Sequence, residues 1–233
     1  MIFVVLYMMV AGAFAGWWLA RQGLLAKPWL EQGVLANARQ NVAVDSTRTL
    51  GLRVFLGVAG SLFALLVSAY LMRMQAPDWR PVPLPTIVWF STGQLLVSCV
   101  ALEWSRSSAR TGDLDAVRSG LLASCLATLA FLAGQLVAWR QLAAAGYLVA
   151  DNPANSFLYL VTSIHALHVT GGLVVLGVTT KRVWPGLVGP TPHESIQRCA
   201  TYWNFLLVVW LVLIALLIGW VEDFAVLCRQ VLT

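Results

Sequence analysis

Six separate stretches of this 233-residue chain are each about twenty residues long and almost free of charge, which limits the fold more than any other feature. They run from Ile2 to Ala20, Leu50 to Met72, Pro83 to Trp104, Ser119 to Trp139, Phe157 to Thr180 and Tyr202 to Val221. At 1.5 Å per residue, each is long enough to cross a hydrocarbon layer about 30 Å thick. No stretch alternates like a membrane β-strand, so backbone groups in lipid are satisfied only by helices. The expectation is an all-α, polytopic membrane helix bundle of six transmembrane helices. The whole chain is only 11% charged, whereas a soluble surface needs roughly 25%.

The first stretch is not built like a secretory signal. No positive charge precedes it, no small-residue cleavage site closes it, and Arg21 and Lys27 follow it. It reads as a retained anchor, with Trp17 and Trp18 at an interface. Placing the N-terminus outside puts Arg21, Lys27, Arg39, Arg48, Arg53, Arg106, Arg110, Arg118, Lys181, Arg182 and Arg198 on the inner side. Arg73, Arg80, Arg140 and Arg229 remain outside, so eleven basic residues face four. That bias predicts both termini on the outer side, periplasmic for a bacterial inner membrane. The same distribution accounts for the net charge of +5 and leaves no continuous basic face for nucleic acid.

Ionisable groups within the bilayer are costly and commonly functional. All ten carboxylates, Glu103 included, read as loop or helix-end residues. A proton-coupled transporter would carry an acid mid-span, and paired Gly/Pro-broken helices are also missing. His165 and His168 do lie inside the fifth stretch, three apart and on one helix face. Two readings are open: a haem or metal ligand pair, or neutral imidazoles locking helices together through Thr162, Gln135 or a partner subunit. The first lacks ligands, because the remaining histidine, His193, lies in a loop. Helix packing is therefore the expected role.

Gly12 with Gly16, Gly57 with Ser61, and Gly171, Gly172 and Gly177 mark faces for close approach. Gln94 and Gln135 read as buried amides. Cys99, Cys125, Cys199 and Cys228 form no CxxC pair and read as structural. No nucleophile and base pair, phosphate loop or redox motif stands out, so catalysis by this chain alone is not expected.

Two motifs carry a family resemblance. The run FLYLVTSIHALHVTGGL from Phe157 and the run YWNFLLVVWL from Tyr202 resemble the signature segments of subunit III of the haem-copper oxidases. The matching positions are Phe157, Thr162, His165, His168, Val169, Gly171 and Gly172, then Tyr202, Trp203, Phe205, Val208, Val209 and Trp210. FLGVAGSLFALLVSAYLMR from Phe55 and FLAGQLVAWRQL from Phe131, with Gln135, agree more loosely. The resemblance spans about Leu50 to Val221. It divides the chain into an extra N-terminal transmembrane helix and inner loop, 1–49, and a subunit III-like five-helix bundle, 50–233.

The departures fall on acids. Ala59, Ala138 and Leu207 stand where the family carries carboxylates, Asn204 replaces a histidine, and Gln197 stands near another family glutamate. The resemblance implies an accessory subunit that binds no cofactor itself, packed against a catalytic subunit I with haem and copper and a copper-bearing subunit II. It also implies a hetero-oligomeric membrane complex with structural phospholipids, supporting aerobic electron transport, complex stability and proton uptake. Arg73 and Arg140, beside Tyr70 and Trp139, are candidate headgroup contacts. A nitric oxide reductase-associated homologue shares these motifs. A stand-alone transporter is the remaining alternative, and the lack of a mid-span acid argues against it.

Overall fold

The computed structural model describes residues 36–186 and 190–219, with side chains for 47–186 and 193–219. All regular structure among them is helical: α1 (Ala36–Arg73), α2 (Ile87–Thr111), α3 (Leu114–Ala144), α4 (Pro153–Val183) and α5 (Pro190–Leu217). Each contains a segment long and apolar enough to cross a membrane. These coincide with five of the six predicted spans. The first span, with Gly12, Gly16, Trp17 and Trp18, lies outside the described residues, as does Cys228.

The helices overrun the predicted spans because charge does not end a helix. Between Val34 and Leu50 there is neither Pro nor Gly to break a helix, and α1 runs without interruption from Ala36 past the predicted start of the span at Leu50. The last helix instead stops short of the predicted Val221. Gly219, at φ +84°, turns the chain there, and its N–H donates to the Leu216 carbonyl.

Contacts divide the chain into two compact units, 1–72 and 73–233. In the first, α1 buries one stripe, Leu56, Ala59, Phe63, Val67 and Tyr70, at helical spacing. Ser61 returns its hydroxyl to the Gly57 carbonyl at 2.9 Å, which satisfies the polar group within its own helix.

In the second unit α2 to α5 close a ring in which each helix packs on two others. A two-residue turn joins α2 to α3. Gly112 adopts φ +80°, and the Asp113 side chain caps the Ala116 N–H at 3.1 Å. Asn152 caps α4 and Pro153 opens it. Asn152 also donates to the Arg80 carbonyl at 2.6 Å, and Trp79 packs on Phe157, which ties the segment before α2 to the start of α4.

The surface is inverted relative to a soluble protein. Val100, Leu126 and Leu167 are each about two-thirds exposed, while Ser91, Ser98, Ser105 and Ser124 are fully buried. Burying apolar surface gives little advantage in lipid, so close packing and interhelical hydrogen bonds hold such a bundle.

Candidate functional site: a layer around His165

The two motif histidines have different surroundings. His165 is fully buried at the centre of the ring. Its imidazole stacks on Trp210 of α5, with centroids 5.0 Å apart and planes 26° from parallel. Phe131 of α3 meets both rings edge-on, 5.9 Å from His165 and 5.1 Å from Trp210. The Trp210 indole N–H donates to Thr92 Oγ1 of α2 at 3.0 Å, and that hydroxyl donates to its own Val88 carbonyl. One layer thus draws on all four helices.

His168 is only half-buried, and its Nδ1 donates to the Ile164 carbonyl of its own helix at 2.8 Å. Its backbone also meets α5, where the His168 carbonyl accepts the Tyr202 hydroxyl at 2.9 Å. Thr162 donates to the Leu158 carbonyl and accepts the Trp139 indole N–H from α3 at 3.1 Å. Gln135 sits one turn from both Phe131 and Trp139 and is 2% exposed, and its Nε2 finds no acceptor among the described residues. Gln94 is half-buried, less enclosed than its sequence context suggested, and so is Cys125.

The motif glycines are not equivalent either. A Cβ on Gly172 would stand 2.6 Å from Tyr202 Cε1 and 3.1 Å from the Trp203 ring, so only Gly fits. A Cβ on Gly171 or Gly177 would meet nothing within 4 Å among the described residues. Trp203 is fully buried, donating its indole N–H to Thr128 Oγ1 at 3.3 Å.

A ladder on α2 escaped the sequence reading. Ser91, Ser98 and Ser105, seven residues apart, all face α3. Ser98 reaches the hydroxyls of Ser124 and Thr128 at 2.8 Å each, and Ser105 donates to the Val117 carbonyl at 3.0 Å. A Cβ on Gly134 would collide with Ser91 Oγ, and one on Gly120 would come within 2.9 Å of Ser105 Cβ. The heptad spacing of serines was the visible signal.

Glu103 corrects the reading that all acids lie in loops or at helix ends. It lies eight residues before the end of α2, inside a membrane-length segment. Its Oε1 accepts from Asn204 Nδ2 of α5 at 2.8 Å, and its Oε2 pairs with Arg106 at 3.1 Å.

The two arginines singled out for lipid also part company. Arg73 is committed to Asp78 through both guanidinium nitrogens, at 2.8 and 2.5 Å. Those hydrogen bonds hold the Asp78 carboxyl below its ordinary range. Arg140 makes no hydrogen bond or ion pair among the described residues, and it is exposed. Tyr70 is buried in the α1 stripe, and Trp139 turns its indole N–H inward to Thr162. Among the described residues, no three His, Cys, Asp or Glu side chains gather as a metal site would require.

A multi-pass, all-helical membrane protein with aromatic and hydroxyl layers between its spans is the class these features define. Residues 34–222 match the family model for cytochrome c oxidase subunit III, and the chain belongs to that family. It is 29% identical over 200 residues to cytochrome c oxidase subunit 3 of Thermostichus vulcanus, covering 80% of this chain and 96% of that one. The subunit 3 of a Synechocystis species is 29% identical over 175 residues, 72% of this chain and 74% of its own. A probable subunit 3 of Mycobacterium bovis is 30% identical over 156 residues, 65% of this chain and 75% of its own. Membership makes the protein a subunit of an oxidoreductase complex.

Proposed function

We propose that this chain is the non-catalytic third subunit of a bacterial haem-copper cytochrome c oxidase, packed against subunit I in the inner membrane with subunit II alongside. In this reading haem and copper belong to the partners, both termini face the periplasm, and the first predicted span is an added helix beside the subunit III-like bundle. The observation that carries it is the convergence of the family-motif residues on one interface. His165, Gly172, Tyr202, Trp203 and Trp210 interlock α4 with α5, and their partners on α2 and α3 complete a rigid core.

The subunit's role follows from that rigidity: it stabilises the assembled complex and supports proton uptake by the catalytic subunit without relaying protons through its own core. Ala59 and Ala138 are both buried where the family pattern has acids. Glu103, within the membrane-length segment of α2, is engaged by Asn204 and Arg106.

The test is purification of the tagged chain in mild detergent. A haem-bearing multi-span subunit with a copper-binding partner is the expected company. Recovery with a nitric oxide reductase would transfer the chain to that assembly, and solute or proton movement by the chain alone in liposomes would overturn the subunit reading.

A further inference from the structure

The outward surface of the α2 to α5 ring is apolar along α3 and polar where α2 meets α5. The exposed positions of α3 between its ends include Leu122, Leu126, Leu129 and Leu136, which suit acyl chains. On α5 the exposed stripe begins instead with Gln197, Thr201 and Asn204, at helical spacing, and turns apolar only at Val208. Thr201 returns its hydroxyl to the Gln197 carbonyl of its own helix at 3.0 Å. Asn204 reaches across the seam, donating to Glu103 Oε1 of α2 at 2.8 Å, and the Glu103 side chain is itself 41% exposed.

Depth makes this pair unusual. The membrane-length segments are Ile87–Thr111 in α2 and His193–Leu217 in α5. Asn204 lies eleven residues from His193 and thirteen from Leu217, about 16 and 20 Å along the axis, so it stands near the middle of its span. Polar side chains at such depth face protein or a water-filled cavity, because hydrocarbon cannot solvate them. Arg106, one turn nearer the end of α2, neutralises Glu103 at 3.1 Å. The charge is therefore met within the chain, and what remains is hydrogen-bonding capacity. Asn204 and Arg106 fill three of the roughly four acceptor sites on the Glu103 carboxylate, and Asn204 Oδ1 accepts nothing among the described residues. At the level of Asn204 the surplus is oxygen, and an acyl chain has no N–H or O–H to offer it. Membrane helices settle such groups by hydrogen bonds to a neighbouring helix. Asn204 also stands where the family pattern has a histidine, so this seam is a feature of the chain itself.

We propose that the seam of α2 and α5 is a docking surface, covered by one transmembrane helix of a partner subunit that places a side-chain N–H or O–H donor against Asn204 and Glu103. The inference rests on the reading of the chain as an oxidase subunit, and the experiment separates the two. Photoreactive benzoylphenylalanine replaces Thr201, Val208, Leu126 or Leu136 in turn in the tagged complex in its own membrane. Haem content reports assembly, and crosslinked peptides are identified by mass spectrometry. The two seam positions should both crosslink to one apolar span of another subunit, a span that carries a donor side chain, and the two α3 positions should capture no protein. Asn204→Leu should lower retention of this chain on the detergent-washed complex about tenfold, the worth of one interhelical hydrogen bond, while Leu126→Ala should not. A haem-replete complex with no protein crosslink at the seam, crosslinks only to a second copy of this chain, or unchanged retention of Asn204→Leu would each overturn the docking surface. A crosslinked donor-bearing span that belongs to no haem-bearing assembly would leave the surface standing and overturn the oxidase reading.

Discussion

His165 lies flat against Trp210, and the edge of Phe131 closes the remaining approach to both rings. A histidine so enclosed acts on the bundle through shape, because its ring is a flat spacer between α4 and α5. His165→Ala should leave a cavity and cost about 2–4 kcal/mol, more than His168→Leu, which replaces a half-buried side chain with one of similar size. Thermal unfolding of the purified complex measures the difference, and equal losses would contradict the assignment.

The adjacent glycines give a sharper comparison. Gly172→Ala forces a methyl group into Tyr202 and Trp203 and should destabilise by about 1–3 kcal/mol. Gly171→Ala meets nothing and gains helix propensity, so it should be neutral or stabilising by up to about 1 kcal/mol. Paired melting curves would show opposite shifts.

Asn204 offers a swap between two donors. Asn204→Leu removes the amide that holds Glu103 from α5 and should lower stability by about 1 kcal/mol, with the loss largely absent in a Glu103→Met background, which has no acceptor oxygen. Asn204→His, which restores a ring donor, should recover most of it. Additive losses in the double variant would show that the two side chains do not interact.

The Arg73 and Asp78 clasp predicts a pH response with a definite sign. Asp78 is held below its ordinary value of 3.8, chiefly by the Arg73 hydrogen bond. The clasp therefore contributes fully above that value and is lost only as pH falls through the depressed one. Proteolytic nicking of residues 74–86 should be flat from about pH 8 to pH 5, and Asp78→Asn should raise it uniformly across that range. A rise near pH 6 in the wild type would contradict it.

The membrane spans were legible because uncharged runs of that length have few alternative folds. Their ends were not, because residues such as Asp115, Arg118 and Arg140 sit in helices that continue past the hydrocarbon, and charge alone does not tell a loop from a helix end. The motif residues of α4 and α5 were readable as a family pattern. Their division of labour was not: His165 and His168 share a face in sequence, yet only one reaches the core. Glu103 read as a helix-end residue because the predicted span closed at Trp104, whereas α2 runs on to Thr111. The serine ladder lay in plain view at a seven-residue period but needed α3 opposite it to acquire meaning.

That ladder also bears on how the bundle comes together. Ser98 and Ser105 find their partners within the single hairpin of α2 and α3, which turns on two residues and closes without help from later helices. The hairpin can enter lipid with those hydroxyls already matched. It also carries Thr92 and Thr128, the acceptors that Trp210 and Trp203 use when α5 is added. The earlier hairpin thus supplies the hydroxyl acceptors, and the last helix, α5, supplies the indole donors that reach them.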